Sequence, residues 1–464
     1  MKPGYYGIIG LAALLIAGCS NQTRTAFEKA AAELPAAEAA ARKLGLPLTG
    51  ADLMPTPPVR PENNAAPLLR RAGADYRLAA GKVRGWEQTL IECYADPTPA
   101  NLAKAQATLR PLDPSLDLAV QASGKPEVDF ERLWTMDEPW NMTFPELSEC
   151  KNLTKGLSYR AQLRARQGDS AGAMSDLRAV TIIGQFLASE PTLIGGLVRV
   201  AIDAIVVRTA EYALTIRPRD ERFLKELDAL AAKQIANPAE MLHALRGEVV
   251  FGVAATEVSV DSLVPMATGM VDEADTQGMA NQSEWRKRLA PPGVPEETRR
   301  KAFRARALQT WVEVFSSAEG QASPVALVKR LEEIDERIRL DHDPTLAMHE
   351  IFFPTFAGAG DALLTGQARW VALRGLVAVL RFKGAEGRYP GSLAEAGFKE
   401  LDPFTEQPLR IKVDGETVRV YSLGPDGQDN DGQERVNTPP NAPRQMDIVL
   451  QYPRRMTVPG APVK

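Results

Sequence analysis

The stretch from Tyr159 to Leu187, YRAQLRARQGDSAGAMSDLRAVTIIGQFL, predicts two helices joined by a tight turn. Gly168 supplies the turn, and Asp169 and Ser170 are residue types that cap helix N-termini. The second helix carries an apolar stripe at a spacing of three to four residues, formed by Ala173, Leu177, Val180 and Ile183. We therefore expect a helical hairpin near the middle of the chain.

Part of this hairpin is similar to a known repeat. The segment Ala165–Asp169, followed by Ala173 and Leu177, resembles the second half of a tetratricopeptide repeat. No second copy follows at the period of that family. The resemblance therefore implies one helical hairpin and not an array.

Residues 65–345 around the hairpin are rich in Ala, Leu, Arg and Glu, with Pro and Gly interruptions, and predict a mostly α-helical domain. Within it, Leu197–Val207 is apolar nearly all round and predicts a buried central helix. Arg199 and Asp203 are four residues apart, so they meet on one helix face. We interpret them as an internal ion pair, with a functional site as the alternative, and their charges argue against a membrane span.

The pattern changes in residues 346–464. Ala368–Phe382 predicts an amphipathic helix, and the alternation of Leu409, Ile411 and Val413 predicts a strand. Asp414-Gly415 is a hairpin signal, after which the chain returns and a third strand closes the sheet at Asp447–Tyr452. The expected fold is an α-helical N-terminal and central body followed by a small α+β module, with a helix and an antiparallel sheet of about three strands.

The loop before the third strand contains the most distinctive chemistry of the sequence. Residues 424–434, GPDGQDNDGQE, place carboxylates among glycines. A hard cation relieves the repulsion between carboxylates, and calcium takes about six to eight oxygen ligands. The spacing does not match an EF-hand. The loop is therefore either a calcium site or a solvated acidic turn.

Several motifs in this module resemble the globular domain of the major pseudopilins of type II secretion systems. They are, in chain order, Gly387–Pro390, Asp402-Pro403, Tyr421–Gly427, the acidic loop and Asp447-Ile448. That family binds calcium through a strand-end carbonyl, the Asp of a Gly-x-Asp-Gly motif and the Asp before the last strand. The resemblance implies a structural calcium site formed by Leu423, Asp426 and Asp447, with Asp429 and Asp431 as further ligands.

The chain also departs from that family. A pseudopilin begins with a uniformly apolar helix that polymerises in the inner membrane. Here the helix that enters the module contains Arg369, Arg374 and Arg381. We therefore do not expect this chain to assemble as a pilus subunit.

The first nineteen residues predict a targeting segment. Lys2 is followed by the short apolar run Ile8–Ile16, which is too short to span a bilayer as a helix. Ile16-Ala-Gly-Cys19 resembles the lipobox of bacterial lipoproteins. The resemblance implies a signal peptide at 1–18, a diacylglycerol on Cys19 and an acylated amino terminus. An ordinary secretory signal is the alternative.

The resemblance also implies a location. Ser20 follows the cysteine, and the family rule then favours the outer membrane, with the protein facing the periplasm or the cell surface. Residues 19–64 are Ala-rich and then Pro-rich, and predict a lipidated tether with a Pro-rich linker.

The other two cysteines are Cys93 and Cys150. In an oxidising compartment an even number of cysteines predicts a disulfide, so we expect this one pairing. Two buried free thiols are the alternative.

Composition limits the chemistry further. The 464 residues carry a formal net charge of −4, so a nucleic-acid partner is not expected. His342 and His349 flank Pro344 with carboxylates nearby, but their spacing matches no zinc-binding helix motif. The sequence also lacks nucleophile-elbow, phosphate-loop and dinucleotide motifs.

These patterns together favour an exported lipoprotein, held to a membrane by its lipid anchor, that is not an enzyme. We expect a scaffold or protein-binding component of the cell envelope with a calcium-stabilised pilin-like module. One alternative is a component associated with a type II secretion-like apparatus. Another is an envelope hydrolase whose Asp/Glu groups or His342 and His349 converge only in three dimensions.

Overall fold

A computed structural model describes residues 21–234, 238–268, 276–317, 323–353, 356–433 and 447–457. Most of these residues are helical, and a small antiparallel sheet lies near the carboxyl end. This confirms the coarse fold class that the sequence predicts.

The helices of the first half begin with α1 at residues 21–32. They continue with α2 Leu34–Lys43, α3 Ala66–Lys82, α4 Trp86–Ala95, α5 Pro99–Leu109, α6 Asp113–Ser123, α7 Pro145–Arg166, α8 Ser170–Ser189 and α9 Leu193–Ile216.

The second half contains α10 Glu221–Ala232, α11 Pro238–His243, α12 Arg246–Ala255, α13 Val260–Thr268, α14 Thr276–Leu289, α15 Glu296–Ser316, α16 Pro324–Leu340, α17 His349–Phe352 and α18 Phe356–Glu386. The strands are β1 Arg410–Asp414, β2 Thr417–Ser422 and β3 Ile448–Tyr452.

The predicted hairpin is confirmed as α7 and α8. Asp169 caps α8, since its Oδ1 accepts a hydrogen bond from Gly172 N at 2.8 Å. Gly168 takes a left-handed φ of 87°, which turns the chain between the helices. Leu177, Val180 and Ile183 are fully buried against neighbouring helices.

The predicted central helix is present as α9, which packs against α7, α8 and α18. Its later part is buried, including Ile202 and Val206, whereas Leu197 near its amino end is exposed. Arg199 Nε lies 3.5 Å from Asp203 Oδ2, and Asp203 is buried. The predicted ion pair on this helix is therefore present.

The sheet has the order β1-β2-β3 with both pairs antiparallel. Asp414 faces Thr417 across the predicted hairpin, and Ser422 faces Ile448 at the other end of β2. The sheet packs on α18. This helix is longer than the predicted Ala368–Phe382, because its apolar face continues to contact α9 and α16 toward its amino end.

The main hydrophobic core extends from the helical body into the sheet. Buried residues from Ala66 on α3 to Leu450 on β3 belong to one cluster, and Trp370 of α18 lies in it with no exposed surface. The hydrophobic core is therefore continuous across the boundary expected at residues 345 and 346. Gly358–Glu386 is long and apolar enough to cross a membrane, but most of it is buried inside the fold, as in a core helix.

The amino-terminal helices also belong to the folded body. Phe27 on α1 and Ala41 on α2 have no exposed surface, and α2 packs against α15. Arg304 Nε on α15 lies 3.0 Å from Glu38 Oε1. Residues 21–48 of the segment expected to form a tether are thus packed against the body.

A buried ion-pair network holds α6, α7 and α8 together. Asp176 on α8 is fully buried, and its Oδ1 lies 2.8 Å from Arg160 Nη2. Arg164 Nη1 lies 2.8 Å from the other oxygen, and Arg160 Nη1 reaches Asp117 Oδ1 on α6 at 2.7 Å. Arg160 thus connects all three helices through paired charges.

We predict that Asp176→Ala lowers the free energy of unfolding by about 3 kcal/mol, because it leaves a buried guanidinium without its main partner. Glu226→Gln, which removes the charge from ion pairs on the surface between α8 and α10, should cost less than about 1 kcal/mol. Urea unfolding measures both changes. Equal losses in the two variants would contradict a structural role for the buried network.

Candidate functional site

The described part of the acidic loop, residues 424–433, leaves β2 through a turn and is held by its own side chains. Asp426 Oδ1 accepts a hydrogen bond from Gln428 N at 3.1 Å. Asp429 Oδ1 accepts bonds from Asp431 N at 2.9 Å and from the Tyr421 hydroxyl at 3.1 Å. Asp426 and Asp429, two of the predicted ligands, therefore shape the loop backbone.

Asp447 joins the loop to β3. It is buried, and its two oxygens accept hydrogen bonds from Gly432 N at 2.8 Å and Asn430 N at 3.3 Å. Burial raises the pKa of Asp447, and repulsion from Asp429 adds to the rise although the two N–H groups oppose it. Gly432 has a φ of 68°, and a Cβ there would lie 3.1 Å from the Tyr421 ring.

Two of the predicted ligands already face cations of the protein. Lys412 on β1 pairs with Asp431, and Arg410 Nε lies 3.8 Å from Asp429 Oδ2. Asp426 and Asp447 form no ion pair within the described residues. The charge available for a cation is therefore concentrated at Asp426 and Asp447.

The donor chemistry of this loop suits calcium, because its candidate ligands are oxygens. Asn430 Oδ1 is in addition a buried oxygen that has no hydrogen-bond partner in the part of the chain that the structure describes. Within the described ranges no three metal-ligating side chains converge on one point, and residues 434–446 lie outside those ranges. Leu423, Asp426 and Asp447 are the residues that would hold the ion.

Asp402 has a role that the motif alone does not reveal. It is almost fully buried, and its Oδ1 accepts a hydrogen bond from the Ser422 hydroxyl at 2.8 Å while its Oδ2 accepts one from Leu423 N at 3.0 Å. Phe404 N also donates to Asp402 Oδ1. Asp402 thus fixes the end of β2, where the acidic loop begins.

The predicted lipidation site, Cys19, lies outside the described residues. Cys93 on α4 and Cys150 on α7 are buried free thiols, so the expected disulfide is not formed in this structure. Burial raises the pKa of both thiols. The two side chains contribute to the apolar core, which is the alternative role for small buried cysteines.

His342 and His349 line the same cleft, which has a volume of about 1130 Å³ and also contains Thr23 and Asp343. His349 is buried, its Nε2 lies 2.9 Å from Thr310 Oγ1, and its ring stacks on Phe353 at 4.2 Å. His342 is exposed. We name this space the histidine cleft.

A second cleft, of about 790 Å³, lies where the sheet meets the helical body, and we name it the seam cleft. Its walls come from α7, α9, α18 and β3. The side chains that line it are mostly polar or charged and include Lys155, Ser158, Tyr159, Gln162, Arg208, Glu211, Tyr212, Thr365, Arg369, Asp447 and Val449. Lys155 Nζ lies 3.3 Å from Glu87 Oε1, and Arg208 Nη1 lies 3.0 Å from Glu211 Oε2. The cleft therefore carries charges of both signs.

The seam cleft is not foreseen by the sequence analysis, except for Asp447. One signal in the sequence does point to it. Polar residues recur on α7 at helical spacing, first at Lys155, then at Ser158 or Tyr159, and then at Gln162. That stripe of polar residues lies on a helix that is otherwise deeply buried. Which elements cover it depends on contacts between distant parts of the chain.

Comparisons of the chain with protein-family models, with curated proteins and with solved structures give no match. The class of protein that the structure defines is a mostly α-helical protein with a small antiparallel sheet near its carboxyl end.

We predict a pH dependence of stability that arises from His349. Burial lowers the pKa of His349 to about 4, so the folded protein disfavours the protonated ring. The unfolded chain binds this proton below about pH 6.5. Titration of His349 therefore does not reduce the free energy of unfolding above that pH, and the free energy falls as the pH drops toward 4. The loss at pH 5 is about 2 kcal/mol.

Urea unfolding at pH 7 and pH 5 measures this dependence. His349→Gln should show a smaller loss between the two pH values than the parent, because glutamine does not titrate. His342→Gln, at the exposed histidine, is the matched control and should behave as the parent does. Equal pH dependence in the parent and in His349→Gln would refute the assignment.

Proposed function

We propose that this chain is an exported lipoprotein, anchored through Cys19, that acts as a non-enzymatic scaffold or protein-binding component of the cell envelope. The observation that carries this proposal is the position of α1. Its described residues start at residue 21, two positions after Cys19, and it is packed into the body through Phe27. A lipid on Cys19 would therefore be joined closely to a large folded body, as a surface-anchored scaffold requires.

The same geometry orients the proposed anchor. Thr23 lines the histidine cleft and is four residues from Cys19. Four residues span at most about 14 Å, so in this proposal the mouth of the histidine cleft lies near the membrane surface. The Pro-rich residues after α2 then connect parts of the body and do not separate the body from the membrane.

A second network of ion pairs holds elements of the body in place, as a rigid scaffold needs. Arg132 is buried, with its Nε 2.6 Å from Glu190 Oε1 and its Nη1 2.9 Å from Glu146 Oε2. Arg70 Nε on α3 lies 3.0 Å from the other Glu146 oxygen. The buried carboxylates of this network are thus occupied in holding α3, α7 and the segment after α8 together.

The carboxyl module in this proposal is pilin-like and stabilised by calcium. The order of a long helix, a hairpin, an acidic loop and a closing strand supports the pilin-like assignment. Calcium held by Leu423, Asp426 and Asp447, with Asp429 and Asp431 nearby, would add positive charge between the loop and β3. Its role would be structural, and Asp402 would position the strand end that supplies the Leu423 carbonyl.

Two further possibilities concern the partner and the chemistry. The pilin-like module makes a type II secretion-like apparatus one possible partner, which co-purification with secretion proteins would support. The histidine cleft favours an envelope hydrolase as a second candidate, because it brings His342 and His349 together with carboxylates. Hydrolysis of ester, peptide or glycan substrates that is lost in His342→Ala would favour the hydrolase.

We predict that the chain incorporates radiolabelled palmitate when it is expressed in a bacterial host, and that it partitions into the detergent phase. Cys19→Ala should abolish both properties, because it removes the proposed acceptor thiol. Cys93→Ala is the matched control and should retain the label. Unlabelled parent protein with a cleaved signal would instead indicate an ordinary secretory signal.

We predict that calcium raises the thermal unfolding temperature of the chain with Cys19→Ser. At one hundred times its dissociation constant, calcium should add about 2.7 kcal/mol to the stability of the unit that binds it. Asp426→Ala should lose this increase, whereas Asp414→Ala, at the exposed end of β1, should keep it. The same unfolding temperature in calcium and in chelator would exclude the proposed site.

A further inference from the structure

Among the described residues, the outer edge of β3 faces α9 and not another strand, because β3 is the last strand of the sheet. Gln451 lies opposite Arg419 on β2, but its N–H donates to Glu211 Oε1 on α9 at 2.7 Å. The pair of Gln451 with Arg419 is therefore not hydrogen bonded. Hydrogen-bonded and non-hydrogen-bonded pairs alternate along antiparallel strands, so Val449 also directs its N–H and C=O away from β2.

The helical body covers only part of this edge. Glu211 accepts the bond from Gln451, and Thr215 Oγ1 accepts one from Arg454 N at 2.7 Å. Val449 is 6% exposed, and within the described residues its main chain forms no hydrogen bond to a loop or to a neighbouring element outside the sheet. Buried main-chain groups almost always have a partner. Val449 lines the seam cleft, so a partner would enter there.

The α7 side of the cleft contains two more buried polar groups, which belong to side chains. Ser158 is 4% exposed and Gln162 is 3% exposed, and both line the seam cleft. Among the described residues, Ser158 Oγ and Gln162 Oε1 have no hydrogen-bond partner. They are four residues apart on α7 and therefore lie on one helix face. Each such group is costly to bury unless something bonds to it.

The remaining lining indicates the chemistry of the occupant. Two ion pairs, Lys155 with Glu87 and Arg208 with Glu211, place positive and negative charge in the cleft. The cleft therefore does not select a polyanion such as a phosphate. Tyr159 and Tyr212 add amphipathic rings of the kind enriched at protein interfaces. An open strand edge takes an extended main chain, which supplies both an acceptor and a donor.

We propose that the seam cleft binds a short extended peptide segment of a partner protein, which pairs with the main chain of Val449 and contacts Ser158 and Gln162. This inference rests on the proposed function, since it names the surface through which a protein-binding scaffold takes its partner. Because Glu211 and Thr215 occupy the edge beyond Val449, the peptide forms only a short stretch of strand pairing.

The test uses the chain with Cys19→Ser and a random heptapeptide display library. Peptides selected on this protein are synthesised, and their dissociation constants are measured by fluorescence polarisation. Thr365→Trp fills the cleft from α18, and Thr108→Trp on the surface of α5 is the matched control. Val449→Pro removes one edge N–H, a change that an edge strand tolerates. Circular dichroism checks that each variant is folded.

The proposal expects convergent peptides that bind the parent and Thr108→Trp alike. Thr365→Trp should abolish binding, and Val449→Pro should weaken it about fivefold through the loss of one hydrogen bond. A selection without convergent sequences overturns the proposal, and so does unchanged binding to Thr365→Trp. Binding that appears only after removal of residues 458–464 also overturns it, because it assigns the cleft to a segment of the chain itself.

The failure of this inference is distinguishable from failure of the proposed function. If palmitate labels Cys19 and an envelope partner is still cross-linked to Thr365→Trp, the scaffold function stands and the seam cleft is not its binding site. If convergent peptides bind but Cys19 is not lipidated, the cleft assignment stands and the membrane anchor is wrong.

Discussion

The packing of α18 between the helical body and the sheet is the contact on which the rest of the architecture depends. This helix contacts α9 and α10 of the body and also β2 and β3 of the sheet. Gly375 permits the close approach, since a Cβ there would lie 3.0 Å from Val420 Cγ1. Trp370, fully buried on the same helix, belongs to the core that both parts share. The sheet therefore has a fixed place on the body.

This placement also creates the seam cleft. α9 offers Glu211 and Thr215 to the outer edge of β3, so the sheet is held alongside α9 by hydrogen bonds as well as by apolar contact. The contact does not extend to Val449, where the strand edge and α7 remain separated by the cleft. A binding surface at this position arises from the incomplete fit of two elements. Its polar groups come from segments nearly three hundred residues apart in sequence.

Charged side chains have two different roles in this protein. Inside the body, Arg132 and Arg160 pair with carboxylates from several helices and fix how those helices are arranged. In the acidic loop, Asp426 and Asp447 are without cationic partners in the described residues, whereas Asp429 and Asp431 face Arg410 and Lys412. Residue type alone does not separate these roles, because the separation depends on which cations the fold brings near.

The sequence by itself determined the local elements. Periodicity and capping residues predict the hairpin of α7 and α8, the buried helix α9 and the strands around Asp414-Gly415, because these patterns act over a few residues. Only the tertiary structure decided that residues 21–48 belong to the body, that Cys93 and Cys150 are separate thiols, and that His349 is bonded to Thr310. It also decided the position of the seam cleft. These features depend on contacts between segments far apart in the chain, and the pattern within one segment does not specify which distant segment it will contact.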